Sequence, residues 1–146
     1  MKRILSVLFI VSLAVILTPE INAQCKGFAK KMCKLELIPY IHDGNYNAAI
    51  LTEGEEAELY KTFFSDQEYR LAVCAADNLD PIEFKVIDAN RKVLYNNKDH
   101  KMSKVWDFKL ESSQQLKIVV KVPVKEGESM DPTSGCVSIM FGFKEK

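Results

Sequence analysis

Apolar and polar residues alternate with a period of two through most of the chain after residue 47, which predicts strands with one buried face. The clearest run is Tyr69–Ala76, YRLAVCAA. Tyr69, Leu71, Val73 and Ala75 fall on one face, and Arg70, Ala72, Cys74 and Ala76 on the other. A solvated second face would carry Lys, Glu or Thr. Small residues and a cysteine there predict that something packs over it. The last alternating run, Cys136–Phe143, repeats this character: Val137, Ile139, Phe141 and Phe143 share one face, while Ser138, Met140 and Gly142 share the other.

Between these runs lie further candidates. Ala48–Thr52 reads as a strand, and Glu56–Phe64 follows the Glu53-Gly54 turn, with Leu59 and Phe63 on one face and Tyr60 and Phe64 on the other. Ile82, Phe84 and Val86 lead through Asp88-Ala89-Asn90 into Lys92–Tyr95, a hairpin. Trp106, Phe108 and Leu110 share the core parity of their run, as do Leu116, Ile118, Val120 and Val122; Pro123 closes the latter. The 3.6-residue period occurs once, at 25–35, where Cys25, Phe28, Ala29, Met32 and Cys33 form one stripe and Lys26, Lys30, Lys31 and Lys34 lie off it. These lysines read as a solvated face, the alternative being docking to an acidic surface. Seven or eight short strands behind one short helix predict a mainly β fold, an antiparallel β-sandwich or jelly roll, with the amphipathic helix packed on the small-residue sheet face.

The first 23 residues read as an export leader. Lys2 and Arg3 precede an apolar stretch, Ile4–Leu17, too short to span a membrane comfortably. Pro19 breaks it, and Ala23 provides the small residue before a cut, so the predicted mature domain is 24–146. Gln24, before Cys25, argues against lipidation. No later run reaches the roughly 20 apolar residues of a transmembrane helix. The predicted location is the periplasm or the medium.

Export changes the reading of Cys25, Cys33, Cys74 and Cys136. An even count in an exported chain predicts two disulfides rather than a zinc site, and no CxxC spacing is present. If 25–33 is helical throughout, Cys25 and Cys33 stand about 12 Å apart at roughly 1.5 Å per residue. That exceeds the roughly 7 Å limit for a bridge, so each would bond to Cys74 or Cys136. A helix that starts late or frays permits 25–33 with 74–136 instead. Sequence alone leaves both pairings open.

Charge and motifs narrow the chemistry. Basic and acidic residues balance at 20 each, and no basic run is interleaved with aromatics, so nucleic acid is not an expected partner. His42 and His100 occupy polar stretches without an adjoining nucleophile motif, and GxSxG, HExxH and a phosphate loop are missing. The acidic group Glu53, Glu55, Glu56 and Glu58 reads as solvated edge charge. Asp77 and Asp80 are weak calcium candidates that do not match a calcium-loop pattern. No cofactor is implied. Tyr40, His42, Tyr46 and Tyr95, placed in or near loops, form the candidate ligand surface.

Three segments carry a resemblance: Leu51–Glu55 (LTEGE), Phe64–Leu71 (FSDQEYRL) and Phe84–Asn90 (FKVIDAN). Their strand–turn pattern is similar to that of bacterial pre-peptidase C-terminal-like β-sandwich domains and of small exported proteins of that kind. The resemblance spans roughly residues 48–143. It implies a non-catalytic jelly-roll-like module that binds polymer, cell surface or protein, and it transfers no catalytic residue. The expected function is a binding or interaction module with a protein or glycan ligand. A hydrolase using acidic loop residues and a structural envelope protein are the alternatives.

Overall fold

A computed structural model describes residues 21–79, 81–125, 127 and 131–145. Among the described residues, nine strands form two antiparallel sheets. Strands β1 (Ile41–His42), β2 (Asn47–Thr52), β4 (Glu68–Ala75), β7 (Val105–Lys109) and β9 (Ser134–Phe143) build the first. The last strand, β9, is its centre: β1 and β2 pair with one edge of it and β4 with the other, and β7 follows β4. The second sheet runs β3 (Glu56–Phe63), β8 (Gln114–Lys121), β5 (Glu83–Ile87), β6 (Val93–Asn96). The chain is therefore a mainly β sandwich, as the alternation predicts.

The core lies between the sheets and contains the expected parities. Leu71, Val73, Ile139 and Phe141 face Leu116, Ile118, Val120, Phe84 and Val86, all at most 6% exposed. Phe63 is fully buried and meets Tyr69, Phe108 and Phe141 edge-on at centroid distances of 4.9–5.4 Å, a favoured aromatic geometry. Rings close the gap between β6 and β7 as a stack. His100 lies on Tyr95 (4.7 Å), Tyr95 on Trp106 (5.0 Å) and Trp106 on Phe108 (4.3 Å). Trp106 is thus packed on both ring faces, in keeping with its core parity.

A second, smaller apolar cluster lies outside the first sheet. Helix α1 (Ile21–Lys31) runs into a 3-10 turn at Cys33–Leu37, and together they cover the outer face of β4 and β9. Ala29, Cys33 and Leu37 pack on Ala72, Cys74 and Met140. The small-residue face of YRLAVCAA therefore accommodates a helical layer. Ser138, fully buried beneath it, donates its hydroxyl to the Asn47 carbonyl. Both disulfides join this layer to the sheet, Cys25–Cys136 with Cα atoms 5.2 Å apart and Cys33–Cys74 with 5.7 Å. Of the two open pairings, the chain takes the helix-to-sheet one.

The helix departs from expectation at its end. The stripe predicts a single helix over 25–35 with Met32 inward. Instead the α-helix gives way to a 3-10 turn after Lys31, and Met32 is 58% exposed. Met32 stands at the junction, its N–H still bonded to the Phe28 carbonyl at 2.9 Å, while the bond to Cys74 holds Cys33 inside.

Each disulfide closes a long loop, its partners standing 111 and 41 positions apart in the sequence, and constrains the unfolded chain accordingly. Replacing either pair by serine is expected to lower unfolding free energy by about 2–4 kcal/mol, read from denaturant midpoints. A nonreducing peptide map is expected to recover linked peptides 25–136 and 33–74. Recovery of 25–33 would remove the stapled layer.

Candidate functional site

Covering one sheet leaves two regions of surface that can do chemistry or bind. The first is the corner where β1 and β2 begin. His42, in β1, donates from Nε2 to the Asn45 carbonyl at 3.0 Å and stacks obliquely on Tyr46 at 4.6 Å. Asp43 accepts the Asn45 backbone N–H at 2.9 Å and the Lys61 ammonium at 2.9 Å. Lys26, from α1, stands 6.0 Å from the centre of the Tyr46 ring. Asp43-Gly44-Asn45 forms this turn because the carboxylate satisfies the backbone N–H two residues on and Gly44 supplies a positive φ of 91°.

Tyr40 lies nearby but in a separate arrangement. The Arg70 guanidinium stacks 4.7 Å from its ring and makes a two-pronged pair with Asp107 at 2.6 and 2.7 Å. Its third nitrogen donates to the Ile38 carbonyl at 2.6 Å and more weakly to that of Glu36. Arg70 thus ties the 3-10 segment to β4. Burial, then the Asp107 charge, raises the Tyr40 hydroxyl above its ordinary value. Gly142, opposite Arg70, leaves room for the Tyr40 Cβ, which would stand 2.8 Å from an added methyl.

The four residues of the expected ligand surface therefore separate. His42 and Tyr46 touch, Tyr40 belongs to the Arg70 clamp, and Tyr95 is only 7% exposed within the core. The reason for Tyr95 is a register shift between Val86 and Ile87. It sets Tyr95 opposite inward Val86 and Val93 opposite Ile87. The polar stretch 96–103 likewise contains an interior residue. Asn97 is 1% exposed, accepts the Phe84 N–H and donates to the Ile82 carbonyl, both at 2.8 Å, so its side chain extends the sheet's hydrogen bonding. Asp77 is exposed in the turn after β4, and Asp80 lies outside the described residues.

The second region is the outer face of the β3-β8-β5-β6 sheet, which carries no helical layer among the described residues. One end is charged across strands. Lys121 is paired in register with Glu56 on one side and Glu83 on the other. The opposite end is less polar: Tyr60, Lys117, Ile87 and Val93 occupy successive strands in one row. Tyr60 is 55% exposed and Val93 49%. Here Tyr60, Gln115, Lys117, Ile87, Ala89 and Arg91 line a shallow depression of about 640 Å³. Asp88 fixes its rim by accepting the N–H groups of Asn90 and Lys92 at 2.8 Å each, and Arg91 adopts a left-handed φ of 65°. Glu58 binds both the Lys117 ammonium (2.8 Å) and the Tyr60 hydroxyl (3.1 Å). These hydrogen bonds hold its carboxyl below the usual range, and Glu58 in turn raises Lys117. Tyr60 and Arg91 did not stand out as ligand residues in the sequence. The available signal was a large aromatic on the otherwise polar parity of β3.

No protein-family profile and no curated protein matches this chain. Among solved structures, it is similar to Aeromonas hydrophila PliG, a periplasmic lysozyme inhibitor of g-type lysozyme. The TM-score is 0.51 with 11% identity, over 73% of this chain and 89% of that one. At that identity the likeness concerns the fold.

Asp43 offers a pH test. Burial pushes its carboxyl up, but the Lys61 and Asn45 hydrogen bonds and the Lys61 charge outweigh burial and leave it below the ordinary value of 3.8. A depressed folded value contributes stability above the unfolded value, lost as pH falls through the folded one. The stability lost in Asp43→Asn is therefore expected to be constant near neutrality and to shrink below about pH 3.8. A difference that does not change with pH in acid would show that the Lys61 pair contributes nothing.

Proposed function

We propose that the chain is an exported, non-catalytic protein-binding module, released by a cut after Ala23, and that the partner docks on the outer face of the β3-β8-β5-β6 sheet. One observation carries this reading. The first sheet's outer face is closed by a disulfide-tied layer, whereas the second sheet presents the Tyr60–Ile87–Arg91 depression to solvent. Tyr and Arg beside small apolar residues match the centre of protein interfaces, where a few such residues carry most of the binding energy. The Glu58 bonds hold Tyr60 in place before binding, which lowers the ordering cost.

A fold shared with a periplasmic lysozyme inhibitor supports a protein rather than a small-molecule ligand, and two disulfides support an oxidising compartment. The sandwich also suits the pre-peptidase C-terminal-like class of exported β-domains, whose binding role agrees with this reading. The g-type lysozymes are the first partners to test.

Purified oxidised protein is expected to bind a g-type lysozyme saturably and slow its lysis of cell-wall substrate. Tyr60→Ala and Arg91→Ala should each weaken binding at least tenfold, a change of about 1.4 kcal/mol, without shifting the unfolding midpoint. Absence of binding removes lysozyme as the partner. A photo-crosslinking residue at position 60 that yields no protein adduct in the exporting cell would remove the protein-binding reading itself.

A further inference from the structure

The 3-10 turn presents an apolar edge to solvent. The turn spans Cys33–Leu37, with Met32 and Ile38 as its caps. Cys33 and Leu37, each at most 1% exposed, face the sheet, and Lys34 and Glu36 are exposed. Met32, Leu35 and Ile38, at every third position, are 58, 62 and 65% exposed. Surface positions ordinarily carry polar residues; these three carry large apolar side chains. Arg70 holds the turn in place through the Ile38 and Glu36 carbonyls.

The charge beside the row is predominantly positive, with Glu36 as its acid. From Ile21 to Leu35 the chain carries Lys26, Lys30, Lys31 and Lys34 and no acid, Glu36 being the first. Lys31 directly precedes Met32, and Lys34 directly precedes Leu35. Among the described residues, Lys30, Lys31 and Lys34 make no ion pair. A projecting apolar row flanked by unpaired lysines has the chemistry of a segment lying in a bilayer interface. There the side chains enter to the depth of the headgroup boundary while basic residues meet anionic lipid. The exposed apolar row and the excess of lysines over its one acid, Glu36, fit an extended anionic surface better than a closed pocket.

We propose that Met32, Leu35 and Ile38, with the lysines of α1, form a reversible attachment site for an anionic lipid surface. This site is on the opposite side of the sandwich from the Tyr60 depression and is independent of the binding function proposed there. A protein so attached presents the β3-β8-β5-β6 face away from the bilayer.

Cosedimentation of the exported protein, both disulfides intact, with vesicles of equal phosphatidylglycerol and phosphatidylcholine tests it. Binding is expected at 50 mM salt, with loss at 500 mM and with pure phosphatidylcholine. Lys31→Ala and Lys34→Ala are each expected to weaken it about fivefold. Met32→Glu and Leu35→Glu are each expected to weaken it at least tenfold, with unchanged circular dichroism and thermal midpoint. Tyr60→Ala should leave it intact. No binding at 50 mM salt, or binding indifferent to Met32→Glu and Leu35→Glu, overturns the proposal. So does a dimer in sedimentation velocity that the same substitutions dissociate without any vesicle binding, which would assign the row to a second copy. A crosslink from position 35 to a protein in the absence of vesicle binding would assign it to a protein groove instead.

Discussion

The covalent anchoring of α1 and its 3-10 turn to the outer face of β4 and β9 is the constraint on which the architecture rests. That face offers Ala72, Cys74, Ser138, Met140 and Gly142, and Ala29, Cys33 and Leu37 pack on it. The disulfides add a covalent hold to that packing. One grips the helix at Cys25 and the other grips the turn at Cys33. The sulfurs thus hold the layer on the first sheet, and the outer face of the second sheet carries no such layer among the described residues.

The outer end of the same layer is held by charge. Arg70 occupies the solvent parity of β4, where its planar fork meets the Asp107 carboxylate on β7 and two carbonyls of the 3-10 segment. A lysine could not make that set of directed bonds. A partly exposed ion pair alone contributes little. Here the guanidinium also satisfies carbonyls at the end of a 3-10 turn, where backbone acceptors lack helical partners.

Much of the sandwich was legible because strand parity and burial agree. Leu71 and Val73, Leu116 and Ile118, and Ile139 and Phe141 all lie where alternation puts them. The anomalous small-residue faces of β4 and β9 also pointed to a covering layer. Legibility ended where geometry departs from a single period. The α-helix stops short of the predicted end and leaves Met32 outward at its junction with the 3-10 turn, and the shift between Val86 and Ile87 carried Tyr95 inward. Asn97 in a polar stretch gave no sign that it would complete a sheet from the interior. The Tyr60 depression was harder still, because it depends on which sheet remains uncovered, a property of topology and disulfide pairing that no local pattern encodes.

The central place of β9 in its sheet orders the events of maturation. A chain that crosses a membrane from its N-terminus delivers β1, β2 and β4 before the strand they all pair with. Cys33 and Cys74 can meet early, whereas Cys25 has no partner until Cys136 emerges. The first sheet is completed only by β9, Ser134–Phe143. The Cys25–Cys136 bond therefore forms only in a chain that extends as far as β9.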